Sequence, residues 1–230
     1  MMKTRATKSR IVPDVGAATG DIGSLRLSAY EEIKRRIITL HYRPGESLNE
    51  ARLSEELDIG RTPVHEAVTR LALEGMLEIF PRKGLIVKPV SLDEVLAIAE
   101  VRMVNEAWCA SLAARRATDE DLVAMRVILD AMPALIKARD IEALMNLDRD
   151  FHCAISRAAR QRTLAELLLQ LHERSLRFWF ISLSEQHHLR DVLNEHKAVY
   201  KAIADRDPDK AAGLMQAHIQ TYMDNITRKV

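Results

Sequence analysis

Apolar residues recur at helical spacing along most of the chain, and one short stretch before residue 90 breaks that rhythm. Tyr30, Ile33, Ile37 and Leu40 share a helical face that opens at a capping box of Ser28 and Glu31 and stops at Pro44-Gly45. Glu50 to Leu57 reads as a second, shorter helix presenting Leu53 and Leu57, and Asp58-Ile59-Gly60 supplies a tight turn. Thr62 is a good N-cap and Pro63 suits the first helical position, so a third helix is expected from there to Gly75. Two helices joined by a short turn containing Gly are the helix-turn-helix pattern. Leu77 and Ile79, then Leu85, Ile86 and Val87, flank Pro81-Arg82-Lys83-Gly84, which predicts a β-hairpin with a basic tip.

Strand signals end after Pro89. Ser91 and Glu94 form another capping box, and the spacing predicts six helices at 91–116, 118–138, 140–159, 161–185, 187–205 and 207–226. Thr118, Asp140 and Asp207 are their N-caps, with Pro208 at the first position of the last. The expected fold is mainly α: an N-terminal winged helix-turn-helix of three helices plus a hairpin, followed by an all-α six-helix bundle. The expected divisions are a mobile basic tail over 1–23 (Lys3, Arg5, Lys8, Arg10), the winged unit over 24–90 and the helical domain over 91–230.

Of the 230 residues 47% are hydrophobic, which excludes global disorder. No apolar run approaches the roughly 18 residues of a membrane span, and a signal-peptide core is lacking, so a cytoplasmic protein with no membrane partner is expected. Cys109 and Cys153 cannot build a disulfide framework and are expected as free, buried thiols. Charge nearly cancels, yet residues 1–90 carry 15 Lys and Arg against 12 Asp and Glu, and residues 91–230 carry 19 against 21. A basic excess in the first part suits a nucleic-acid partner where it clusters in space.

Asp148 and His152 lie four apart and project from one helical face. His196 and His218 each stand 11 residues from Asp207, so in an antiparallel hairpin they come opposite one another. Three imidazoles and a carboxylate converging in a bundle suit Zn²⁺, Ni²⁺ or another first-row divalent ion. The alternative is four unrelated polar residues. His41 and His65 fall in the first domain, while His172 and the pair His187-His188 are expected at the surface or the bundle edge. Such a ligand set also admits a metalloenzyme, but no motif supplies a base or nucleophile near it, and the expectation is a protein that is not an enzyme.

The run Leu48-Asn49-Glu50-Ala51-Arg52-Leu53-Ser54-Glu55-Glu56-Leu57-Asp58-Ile59-Gly60-Arg61-Thr62-Pro63-Val64-His65-Glu66-Ala67-Val68, with Pro44-Gly45 before it and Leu71, Glu74-Gly75 and Gly84 after it, resembles the GntR family of bacterial regulators. The resemblance implies that Arg61 to Gly75 is a recognition helix and Arg82 to Gly84 a wing. Homodimeric binding to a palindromic double-stranded operator would follow. Physically, Arg61 can donate bidentately to a guanine edge and Thr62 can contact phosphate. His65 stands where the family usually has Arg, and Ala51 where some relatives carry a DNA-contacting Arg, with Arg52 beside it and Arg70 further along the helix. The competing reading of these polar residues is the solvated face of a small helical domain.

Residues 91–230 resemble the FCD ligand-binding domain of the FadR-like branch, with Asp148-x-x-Phe151-His152, Glu195-His196 and Ala217-His218-Ile219 matching its metal motif. Six helices favour the VanR-like subgroup. Glu100-Val101-Arg102 matches as well, and the resemblance implies that Arg102 lies near the metal and receives the carboxylate of a small organic or sugar acid. A structural ion pair of Arg102 with Asp148 or Glu106 is the alternative, and a metal-ion sensor without organic effector is another. Trp108, Phe178 and Trp179 are expected in the core or at a dimer contact.

Overall fold

The computed structural model describes residues 16–80, 84–89, 91–182 and 186–228. The first unit comprises α1 (Gly16–Ile38), β1 (Ser47–Leu48), α2 (Glu50–Leu57), α3 (Arg61–Leu73), β2 (Leu77–Phe80) and β3 (Gly84–Val87). Its antiparallel sheet runs β1-β3-β2, with Leu77 opposite Val87, Phe80 opposite Gly84 and Ser47 opposite Ile86. Tyr30, Ile33 and Ile37 of α1 meet Val64, Val68 and Leu71 of α3, and Leu53, Leu77, Leu85 and Val87 close this small core. The hairpin tip with Arg82 and Lys83, like residues 1–15, lies outside the described residues.

Three local expectations change. Helix α1 begins at Gly16, within the stretch expected as tail, and Ser28 sits in mid-helix instead of capping it. Once Tyr30, Ile33 and Ile37 are pinned against α3, extending a helix backwards requires no new nucleus. At α3 the N-cap is Gly60, with no side-chain cap, and Thr62 lies inside the first turn. The third change is β1, too short to show periodicity, which forms because Gly45 donates to Val87 O at 2.8 Å and Val87 donates to Glu46 O at 2.9 Å. Asp58 adopts φ 53° between α2 and α3 and returns its N–H to α2, which sets the turn the sequence predicted.

The second unit is all helix: α4 (Leu92–Arg116), α5 (Asp119–Ala138), α6 (Ile141–Ala158), α7 (Arg162–Ser182), α8 (Gln186–Ala204) and α9 (Pro208–Thr227). Helix α4 runs through the middle, packed by α6, α7, α8 and α9. Thr118 and Asp121 form a full capping box, and Asp140 and Asp207 accept from Ala143 N and Lys210 N. Ser91 occupies the N-cap position without a side-chain cap bond, and the Glu94 side chain meets Arg174 Nη2 at 2.5 Å. Cys109 is buried and Cys153 only half so, both as free thiols. No described helix is long and apolar enough to cross a membrane.

Gly84 has φ +96°, and a Cβ there would stand 2.7 Å from Leu48 O. Its sheet therefore needs glycine at this point for two separate reasons, positive φ and close approach of β1. Gly84→Ala is expected to cost about 1–3 kcal/mol through backbone strain. Thermal unfolding checks this, and an unchanged Tm would refute it.

Candidate DNA interface and buried histidine centre

Helix α3 buries Pro63, Val64, Ala67, Val68 and Leu71 and leaves Arg61, Thr62, His65 and Arg70 exposed. The uncapped first turn presents free N–H groups beside Arg61 and Thr62, an arrangement that favours phosphate and lets the side chains reach base edges. Among the described residues no carboxylate pairs with Arg61. The other candidates are engaged. His65 Nδ1 lies 2.8 Å from Glu50 Oε1, and Arg52 binds Glu56 at 2.6 Å and Glu46 at 3.1 Å. Arg70 binds Glu74 at 2.9 Å, and its guanidinium lies 3.6 Å from the Tyr30 ring centroid. Gly84 serves the sheet, and Arg82 and Lys83 fall outside the described residues.

Inside the bundle, α6 carries Asp148 and His152, α8 carries His196 and α9 carries His218, all buried. The hairpin of α8 and α9 brings His196 Nε2 to 3.2 Å from His218 Nε2. Asp148 Oδ1 lies 3.4 Å from His196 Nε2, and the three imidazoles offer ligand atoms within 4.8 Å of one another. Carboxylates hold the outer nitrogens: Glu195 Oε2 meets His218 Nδ1 at 2.7 Å and Glu106 Oε2 meets His152 Nδ1 at 2.5 Å. Such partners fix ring orientation and leave Nε2 for a metal. His152 Nε2 is buried and has no hydrogen-bond partner, so the residues present fit a divalent ion.

Electrostatics favour a neutral ligand nitrogen at His196 but not at His152. Burial, then the adjacent imidazoles, holds His196 well below the usual histidine range. Burial raises the Asp148 carboxyl, with His152 and His218 acting against it. Burial would also lower His152, but the Glu106 carboxylate prevails and its pKa is raised. For Glu106 itself, burial works upward and is outweighed by Arg102 and His152, leaving it well below the usual range.

Arg102 is buried and pairs with Glu106, Nε to Oε1 at 2.6 Å, so of the two structural partners considered for it the pair forms with Glu106. Among the described residues its Nη atoms take no hydrogen bond. Arg102 lines a cavity of about 20 Å³, room for roughly one water, with Asp148, His172, Ser175, Thr221 and Tyr222.

His172 corrects the sequence reading. Expected at the surface or the bundle edge, it is 5% exposed, with Nε2 3.5 Å from Asp148 Oδ2 and neither ring nitrogen hydrogen-bonded. Leu168 and Leu176, one turn to either side and both buried, were the signal that this face points inward. With Glu106 and His152 it forms a second group able to offer metal ligands, but there Glu106 is already held by Arg102. Trp108 is half exposed on α4 and Phe178 packs at the core's edge, while the side chains of Trp179, His187 and His188 lie outside the description.

Comparison with known proteins matches residues 25–87 to the family model "Bacterial regulatory proteins, gntR family" and residues 97–221 to the "FCD domain". The chain belongs to the GntR family, in its FCD-containing, FadR-like branch. It is 30% identical over 191 residues to the Nta operon transcriptional regulator of Aminobacter aminovorans, covering 82% of this chain and 88% of that protein. To the HTH-type transcriptional repressor RspR of Escherichia coli K12 it is 24% identical, covering 86% of each. Among solved structures, E. coli McbR/YncC matches with a TM-score of 0.79 at 22% identity, over 89% of this chain and 98% of that one. This GntR protein is thus a transcriptional regulator and not an enzyme, and the three buried histidines of its FCD domain are consistent with a metal site.

His152→Ala, His196→Ala and His218→Ala are each expected to abolish stoichiometric metal, whereas His172→Ala retains it. Glu195→Gln, which only loosens His218, should weaken affinity about 10- to 100-fold. Elemental analysis of protein purified without chelator measures both, and loss of metal on His172→Ala with retention on His218→Ala would move the site to the second group.

Proposed function

We propose that this regulator binds a palindromic operator as a homodimer and is controlled by a small organic or sugar acid, bound at a Zn²⁺ or Ni²⁺ ion held by Asp148, His152, His196 and His218. The observation that carries the reading is the convergence of ligand nitrogens from three imidazoles beside a buried arginine whose terminal nitrogens are free of hydrogen bonds among the described residues. Arg102 offers those nitrogens as the fork for a carboxylate, while Glu106 holds its Nε and aligns it. A bound ion would supply open coordination positions to the same carboxylate. A short acid suits this lining better than an acyl chain, since Arg102 and the histidines cannot be desolvated beside a long apolar tail without compensation.

Arg61 and Thr62 lead the reading of DNA, with Arg82, Lys83 and Gly84 as the wing and Arg52, His65 and Arg70 as flanking contacts that must first leave their carboxylates. Exposed Val101, Val104 and Trp108 form an apolar stripe along α4, the face we assign to the dimer. The two buried clusters support a division into a winged unit over 24–90 and a sensor over 91–230, and six sensor helices support the VanR-like subgroup. A cytoplasmic location accords with DNA binding.

A second reading, a metal sensor without organic effector, is favoured by the closed Arg102–Glu106 pair and the small cavity. Arg102→Ala separates the two: it should keep the metal but abolish the response of operator binding to the acid. An unaltered response would leave only the metal sensor standing. For the DNA face, Arg61→Ala should weaken specific binding by about 1–3 kcal/mol while the protein stays folded. Footprinting tests this, and unchanged affinity and footprint would remove Arg61 from the interface.

A further inference from the structure

Lys34 of α1 is a lysine with only 3% exposure, which places a charge at the contact between the two units. Its Nζ lies 2.5 Å from Glu173 Oε1 on α7 and donates to Tyr30 Oη at 3.0 Å. Tyr30 Oη in turn donates to Glu74 Oε2 at 2.8 Å. Glu74 Oε1 accepts from Arg70 Nε at 2.9 Å, and Arg70 stands on α3, the recognition helix. An unbroken polar chain therefore joins α7 to the element that reads DNA.

The same α7 walls the histidine centre. His172, the residue before Glu173, faces Asp148, and Leu176, one turn further on, borders both the centre's cavity and the cleft between α1 and α6. Occupancy that shifts His172 must shift Glu173 with it, because neighbouring residues of a packed helix move as one body. A buried ammonium separated from its carboxylate would find little water, so the pair holds or breaks instead of stretching by degrees. Other contacts between the units are more forgiving. Arg35–Glu142 at 3.4 Å is exposed and screened, and Ile38 packs against the sensor core without directional bonds.

We infer that the Lys34–Glu173 ion pair transmits occupancy of the histidine centre to the recognition helix, through Tyr30, Glu74 and Arg70. This rests on the metal reading above, and it names the route by which the sensor biases the DNA-binding unit.

The test is hydrogen exchange on the full-length, chelator-treated protein before and after addition of Zn²⁺. In the wild type, Zn²⁺ slows exchange in α6, α8 and α9 and also changes it in α1 from Tyr30 to Ile38 and in the last turn of α3. In Glu173→Gln the sensor protection remains, while the α1 and α3 response falls at least threefold. The double variant Lys34→Met/Glu173→Gln leaves neither charge unpaired, so it guards against a single variant that fails to fold, and it gives the same loss. A full α1 and α3 response in the double variant overturns the inference, as does wild-type protection confined to α6, α8 and α9, and both outcomes leave the metal reading intact. Zn²⁺ that changes exchange in no helix overturns the metal reading and this inference together.

Discussion

Burying Arg102, Glu106, Asp148 and four histidines in the middle of a helical bundle sets the terms for the whole sensor. Each ionised group taken from water carries a penalty of several kcal/mol unless a partner of opposite charge or a hydrogen bond replaces the lost solvent. The structure meets this by sharing. Glu106 divides its two oxygens between Arg102 and His152, Glu195 fixes His218, and Asp148 faces both His196 and His172. Aliphatic packing around Phe151, Ile155, Val199 and Ile219 keeps the cluster dry and the rings still. The network still leaves His152 Nε2, His196 Nδ1 and both ring nitrogens of His172 buried without a hydrogen-bond partner.

The DNA-reading unit obeys the opposite rule. Its core is small and built of aliphatic side chains with the rings of Tyr30 and Tyr42, and the charged residues around α2 and α3 lie outside it, where ion pairs are weak and exchangeable. Acidic residues there hold Arg52, His65 and Arg70 in exposed pairs, and among the described residues Arg61 has no carboxylate partner at its uncapped helix start. Glycine at residue 84 serves geometry, allowing β1 to close on β3 below the wing.

Between the units the chemistry changes again. Lys34 is charged yet buried, and it belongs to neither core alone. A directional contact of this kind responds to displacement more sharply than the apolar contact at Ile38, because its strength depends on distance and on exclusion of water. Among the described residues the buried Lys34–Glu173 pair is thus a stiffer connection than the exposed Arg35–Glu142 pair or the apolar contact at Ile38.

The sequence by itself determined the order and type of the helices, the hairpin, the placement of Asp148 and His152 on one helical face, and the juxtaposition of His196 with His218. All of these follow from local periodicity, turn chemistry and equal distance from one loop, so they do not depend on how distant segments pack. The caps at Thr118, Asp140 and Asp207 and the N-cap position of Ser91 were legible for the same reason, while those inferred at Ser28 and Thr62 failed where packing extended or shifted the helix start. Tertiary structure alone decided that Glu106 stands between Arg102 and His152, that His172 turns inward, and that Lys34 meets Glu173. These choices depend on which helix face lies against which neighbour, and burial in a shared low-dielectric interior is a property of the assembled bundle that no single segment carries.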